Sequence, residues 1–392
     1  MITSMHIKNF KCFKDFDIEL GKFNVLVGPN GSGKSSLLTA VRIAAYLGPQ
    51  ANHPAFLRSD ELRSVPYLRW TWMKRRDLQI AMRIYGEAGC GADQPHQRIL
   101  SRDGWGFWSC LDIEKAPVPD KDKGRWLEEH YPQWYSRTIG RVAYHSFEPG
   151  VLKCPSPLTS KITATGQGFP GYLSHILNTE RSVFDSIERE FCRRFPEYTA
   201  LKTPSVNITP PRGDNEGSGC DDNGKGGTAD GGFSSQGDVS GHKEKDDYRI
   251  FLQFQKSGDV VLEAADASDG HVVSLAFITL SCLATPPNIL LVEEPENWIH
   301  HASLKDIIET LKHLSDEKDV QVILTTHSPY LLDLVQPKDV RVFTKDDEGA
   351  VHAAKLSDHP EVESLRKHFK TGEIWTGFQS DRDIVEKTGS FE

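Results

Sequence analysis

The stretch GPNGSGKSS, Gly28 to Ser36, follows directly on the apolar run Phe23-Asn24-Val25-Leu26-Val27 and precedes a helical pattern from Leu37 onward. Few local patterns restrict a fold so narrowly. Gly28, Gly33, Lys34 and Ser35 meet every fixed position of G-x-x-x-x-G-K-[ST], in the strand-to-helix context that the motif requires. Its glycines let the backbone wrap a phosphate chain, and N–H groups at a helix N-terminus favour anions. Lys34 is placed to reach β- and γ-phosphates, and the Ser35 hydroxyl to help hold Mg²⁺. A glycine-rich turn without a ligand is the weaker reading, so the loop implies a nucleotide site.

Around that loop the chain reads as an α/β protein. Residues 1–27 alternate as two strands before the buried one at 23–27, and the helix from Ser35 ends near Leu47, before Gly48-Pro49. Residues 79–85 read as a strand, and Trp105 and Trp108 as part of a short aromatic loop. Tyr172 to Glu197 is helical in two segments, with Arg189, Arg193 and Arg194 on the tail of the second. Residues 204–247 are rich in Gly, Ser, Asp and Asn and nearly free of apolar side chains; they cannot offset their ordering entropy and read as a disordered loop inside a hairpin. His271 to Leu283 is an apolar helix, 288–292 a buried strand, 302–314 a helix and 320–325 a strand. That alternation indicates a parallel sheet wrapped by helices.

Two further stretches belong with the phosphate loop. ILLVEE, 289–294, puts carboxylates at the end of a buried strand, where ligands gather in open α/β sheets. Mg²⁺ takes one or two carboxylates plus phosphate oxygens, so Glu293 is placed to hold the ion and Glu294 to orient or deprotonate an attacking water. His327 follows the strand QVILTT one strand later, within reach of a γ-phosphate. Ser268-Asp269-Gly270 opens the apolar helix; by itself this is an N-cap with a turn.

In this order, GPNGSGKSS, ASDG before a helix, LLVEEPENWIH and LTTHSPYLL resemble the ABC-type ATPases of the SMC/RecF/OLD group, in its compact prokaryotic form without coiled-coil arms. The opening IKNFKCFKDFDIEL is similar to that group as well. The motifs cover residues 1–48 and 262–335; the middle matches only in general character. The resemblance implies a P-loop NTPase of ABC-ATPase type, with a mixed central sheet flanked by helices and an inserted helical and hairpin region. Residues 1–150 and 284–392 would form one lobe of a single head, and 151–283 a helical lobe carrying the signature. ATP and Mg²⁺ are the implied cofactors. Gly28, Asn30, Gly31, Ser32, Gly33, Lys34, Ser35 and Ser36 would form the Walker A loop, with Ser268, Asp269 and Gly270 as the signature. Ser35 and Glu293 would hold the metal, and Glu294 and His327 would be catalytic, with a D-loop at Glu296-Asn297. Glu293 stands where many of these ATPases carry Asp. No Q-loop glutamine stands out. Two heads would stack head-to-tail on ATP, each signature serine completing the other's site.

Composition and the remaining residues narrow what this engine drives. A net charge of −9 argues against a uniformly basic nucleic-acid coat. Seven scattered cysteines without a C-x-x-C pair, no apolar leader and no long apolar run read as a reduced, cytoplasmic protein away from membranes. The only candidate for the metal-binding carboxylates of an OLD-type TOPRIM nuclease, Asp381-x-Asp383, reads as a solvated turn. Two functions remain open. One is an ATP-driven switch for a separately encoded effector, as in prokaryotic anti-phage defence. The other is a DNA-repair ATPase clamping duplex DNA through Lys74, Arg75, Arg76 or Arg189, Arg193, Arg194.

Overall fold

Runs of apolar residues with no polar face are strands buried on both sides, and three of them lie side by side at the centre of this protein. The computed structural model describes residues 1–46, 79–84, 96–103, 106–111, 141–208, 248–258 and 260–389. Lys74, Arg75, Arg76, Trp105 and the greater part of the 204–247 insertion lie outside them. In chain order the first strands are β1 (Ile2–Phe10), β2 (Phe13–Glu19) and β3 (Phe23–Val27), followed by helix α1 (Lys34–Tyr46). Then come β4 (Gln79–Ile84), β5 (His96–Asp103), β6 (Gly106–Leu111) and β7 (Val142–His145). Trp108 therefore sits on a strand, opposite Ser101, and not in a loop.

Two amphipathic helices come next, α2 (Phe169–Thr179) and α3 (Arg181–Arg194). The small strands β8 (Tyr198–Lys202), β9 (Ser205–Asn207), β10 (Tyr248–Ile250), β11 (Gln253–Lys256) and β12 (Val261–Glu263) follow. Antiparallel pairing of β9 with β10 closes the insertion as a hairpin, in agreement with the expectation from sequence. Helix α4 (Asp269–Cys282) is apolar almost all round because it is packed all round, between α3 and the next helix, α5 (His301–Lys318). The chain ends in β13 (Ile289–Glu293), β14 (Gln321–Thr325), α6 (Pro329–Leu332), β15 (Val340–Lys345), β16 (Val351–Lys355), α7 (Thr371–Gly377) and α8 (Asp381–Lys387).

The central sheet has six strands in the order β16-β15-β3-β14-β13-β7, parallel except for β16. Alternation along each strand splits its side chains between two cores. Val25, Leu290, Val292, Val322 and Leu324 face the helices α2 to α5, whereas Leu26, Leu291, Ile323 and Phe343 face α1 and the β1–β2 hairpin. Gln321 joins the two sheets: its buried side chain accepts from the Ile2 amide (2.7 Å) and donates to the carbonyls of Ile2 (2.7 Å) and Gly21 (2.8 Å). The result is a mixed central sheet flanked by helices, with the C-terminal ends of its parallel strands on one edge.

At that edge His145 is 5% exposed, stacked on Phe147 with ring centroids 4.7 Å apart, and its Nδ1 has no hydrogen-bond partner. Burial lowers its pKa to about 4. A histidine held neutral in the fold takes up a proton first in the unfolded chain. The stability it contributes is therefore intact above pH 6.5 and declines as pH falls toward about 4, by about 3 kcal/mol in all. Denaturant titrations from pH 7 to pH 4 should show this loss, and His145→Gln should flatten it. Parallel slopes in the two proteins would assign the loss to other groups.

The C-terminal carboxylates depart from expectation. Asp381 and Asp383 are not in a solvated turn but in the first turn of α8, capped by the Ser380 hydroxyl accepting from the Asp383 amide (3.1 Å). Ile384 and Val385 on the same helix are fully buried. Short length and high polarity hide this helix from periodicity; its packing on β15 makes it.

Candidate nucleotide site

Beyond β3 the backbone turns through left-handed glycines, Gly28 at φ 145°, Gly31 at 75° and Gly33 at 104°. A Cβ on Gly28 would stand 2.2 Å from the Phe343 carbonyl oxygen on β15, and one on Gly33 3.1 Å from Cys12 Sγ. Glycine is thus required by conformation and by close approach at once. Asn30 and Gly31 are exposed at the loop's tip, Ser32 is buried, and Ser36 is half-buried in the first turn of α1. Lys34 is 5% exposed, and its Nζ donates back to the carbonyls of Gly28 (2.7 Å) and Pro29 (2.9 Å). Burial lowers the pKa of its ammonium, against the pull of Glu294, Asp381 and Glu293.

Parallel pairing brings the acids to this loop. Glu293 ends β13, and its two carboxylate oxygens accept from the Ser35 hydroxyl and from the Tyr144 phenol. Tyr144 stands opposite Leu291 on β7, on the same face as Glu293 two residues further on. Burial, then the bond to Glu293, raises the pKa of its phenol, and Arg42 lies 4.4 Å from its ring centroid. Glu294 adopts a left-handed backbone, φ 44° and ψ 61°, which costs a non-glycine residue about 1–2 kcal/mol. Its amide donates to the Thr325 carbonyl (3.1 Å), Asn297 Nδ2 donates to its Oε2 (2.8 Å), and His327 Nε2 stands 3.4 Å from its Oε1. Strain of this kind persists where the surroundings over-determine it; here Thr325 holds the amide, and Asn297 and His327 hold the carboxylate.

Glu296 is not a surface loop residue. Its Oε1 accepts from the Thr326 hydroxyl (2.5 Å) and the His327 amide (3.0 Å), and burial raises its pKa against those bonds. One carboxyl thereby ties the end of β13 to the end of β14. The signature turn is elsewhere. Ser268 is exposed and makes no side-chain cap bond, Asp269 is paired with Lys153 Nζ (2.5 Å), and Gly270 lies against the Trp298 carbonyl. Among the described residues no hydrogen bond or ion pair joins Ser268, Asp269 or Gly270 to the phosphate loop.

The groups present fit a magnesium nucleotide. Ser32 Oγ is buried in the loop without a partner, Lys34 has only loop carbonyls to bond, and a hydroxyl and a carboxylate of the kind Mg²⁺ prefers are already in contact. The structure brings together the loop, both acids and the histidine that the sequence singled out, each contiguous with its strand. Sequence reasoning missed Tyr144, whose only local signal is the short apolar run 142–144. Gln79 lies on β4 opposite Lys8, in a different sheet from β7, the strand beside Glu293.

Comparison with known proteins agrees with this geometry. Residues 1–51 match the family described as "AAA ATPase domain", and residues 176–333 the one described as "AAA domain, putative AbiEii toxin, Type IV TA system". An OLD nuclease of Thermus scotoductus is 21% identical over 411 residues, covering 95% of this chain and 68% of that protein. A DNA double-strand break repair Rad50 ATPase of Methanopyrus kandleri is 26% identical over 123 residues; the match covers 31% of this chain and 14% of that longer protein. The solved SmcHead bound to the C-winged helix domain of ScpA has the same fold, with a TM-score of 0.53 at 15% identity, over 93% of this chain and 99% of that one. With a phosphate loop, an acidic strand end and a histidine already gathered on one edge of that fold, the chain has the fold and the site arrangement of the SMC/OLD-like ABC-type ATPases.

Proposed function

We propose that this chain binds Mg-ATP, hydrolyses it to ADP and phosphate, and acts as a switch for a separately encoded effector. The observation that carries the reading is the meeting of Ser35, Glu293, Glu294 and His327 at the ends of three adjacent strands. Ser35 and Glu293 would hold Mg²⁺, which supplies charge neutralisation between the phosphates. Glu294 accepts the proton of the attacking water, positioned by the left-handed turn and by Asn297. His327 donates toward the terminal phosphate and, through the Glu296 link, registers its presence. Ser268 is exposed and unconnected to its own phosphate loop, which supports a head-to-tail dimer in which each signature turn caps the partner's site. In that arrangement residues 1–150 and 284–392 form the nucleotide lobe, and 151–283 the signature lobe.

Anti-phage defence is the setting we favour, with a cytoplasmic location. A family match described with a toxin and a nuclease relative support it, and among the described residues no helix is long and apolar enough to cross a membrane. The similarity to a double-strand break repair ATPase supports a second reading, a DNA clamp. The basic tail of α3 gives that reading little help. Arg194 is folded inward onto Glu190, the Asp306 carbonyl and Thr310, and Arg193 is paired with Glu190. Gentle purification of Glu294→Gln from its host in ATP discriminates the two. A stoichiometric protein partner establishes the switch; nucleic acid alone, released by salt as phosphate contacts are, establishes the clamp.

A further inference from the structure

Helix α1 reaches the Glu293 carboxylate twice. A glutamate side chain turns about several bonds, so the strand that carries Glu293 does not by itself decide where the carboxylate points. The Ser35 hydroxyl, in the first turn of α1, donates to Oε1, and the Tyr144 phenol on β7 donates to Oε2. About two turns along α1 and on the same face, Arg42 lies over the Tyr144 ring, its guanidinium carbon 4.4 Å from the centroid. Thr39 stands between them. Its hydroxyl donates to the Ser35 carbonyl (2.8 Å) and accepts from Lys11 Nζ (3.0 Å), which ties this face of α1 to the turn between β1 and β2. One helix therefore grips the carboxylate directly through Ser35 and, by way of Arg42 and the phenol, from the other side.

The proposed reaction uses Glu293 to hold Mg²⁺ and does not use the phenol beside it. The phenol does decide how many oxygens Glu293 can offer. With Oε2 taken by Tyr144, Oε1 is the oxygen left on the Ser35 side, and the carboxylate cannot turn without breaking that bond. This bears differently on the two common divalent ions. Mg²⁺ is small, keeps a strict octahedral shell with several waters and takes few carboxylate oxygens. Ca²⁺ takes more oxygens in a flexible shell and accepts a carboxylate through one oxygen or both. A fixed carboxylate with one oxygen to give suits the first ion and withholds a ligand from the second.

We infer that Tyr144, held by Arg42 and hydrogen-bonded to Oε2 of Glu293, is a positioning residue that makes the site select Mg²⁺ over Ca²⁺. The inference rests on the nucleotide-site reading above. It gives the strand β7 a part in that site: β7 pairs in parallel with β13, and among the described residues no other side chain on it bonds Glu293 or Glu294.

Calorimetric titration of the full chain with the magnesium and the calcium complexes of the non-hydrolysable triphosphate AMP-PNP tests it. Tyr144→Phe keeps the ring under Arg42 and removes the bond to Glu293. It should weaken the magnesium complex about tenfold, the low end of what losing the hydrogen-bond partner of a metal ligand costs. The calcium complex should stay within about twofold of wild type, because the freed Oε2 becomes available to that ion. Arg42→Lys keeps the charge but loses the planar stack, and should move the ratio the same way by a smaller factor. An unchanged ratio in Tyr144→Phe, whether both complexes weaken alike or neither does, would overturn the inference, and so would a tighter magnesium complex. Should that variant not fold, an unchanged ratio in Arg42→Lys overturns it instead. If wild type bound neither complex, the nucleotide-site reading itself would fail, an outcome distinct from binding with an unchanged ratio.

Discussion

Glu294→Gln should hold ATP with near-normal affinity and turn it over about 10²–10⁴-fold more slowly, the range that a positioned general base contributes. The substitution is nearly isosteric. Asn297 Nδ2 can still donate to the side-chain oxygen, and the left-handed turn at 294 depends on backbone contacts to Thr325, so the loop keeps its shape. What disappears is the group that accepts the proton of water. Phosphate release measured beside equilibrium nucleotide binding separates the two, and a dimer should accumulate in ATP by size-exclusion chromatography. Turnover within about tenfold of wild type would move the base to another residue.

Lys34→Ala should weaken Mg-ATP binding by roughly two orders of magnitude, since charge-assisted hydrogen bonds contribute about 1.5–3 kcal/mol each and phosphate offers several acceptors. The fold should tolerate the change. Lys34 is buried and donates only to loop carbonyls, and burial lowers the pKa of its ammonium, so the fold gains little from that charge. An unfolding temperature like that of wild type, with affinity lost, assigns the effect to the site. Unchanged affinity would remove Lys34 from it.

Legibility of this protein from its sequence follows the range of the interactions concerned. Gly28 to Ser36, Glu293-Glu294 and His327 could be read because each sits at the end of a strand that is apolar throughout, and such strands announce themselves. The hairpin around the insertion was legible for the same reason: two short strand-like runs flank a segment with nothing to bury. Tyr144 was not, because its role depends on β7 pairing with β13, residues 149 positions apart meeting through a phenol and a carboxylate. Asp381 was misread as solvated because nothing in its neighbours in sequence says that Trp375 bonds it or that β15 lies beneath it. Glu296 was legible only as part of a D-loop; that it is desolvated and bonded to Thr326 and His327, just past β14, depends on contacts thirty residues away in sequence.

The order of strands also governs when the protein can work. Strand β3, which delivers the phosphate loop, is made well before both of its neighbours in the sheet, β14 and β15, which come from residues 321–345. During synthesis the loop therefore leaves the ribosome on a strand with no partner and stays so until most of the chain has followed. Pairing across some three hundred residues is slow by its loop-closure entropy. The newborn chain has no half-built engine: it cannot capture a nucleotide, or be trapped by one, before the strand bearing Thr325 has slid between β3 and β13.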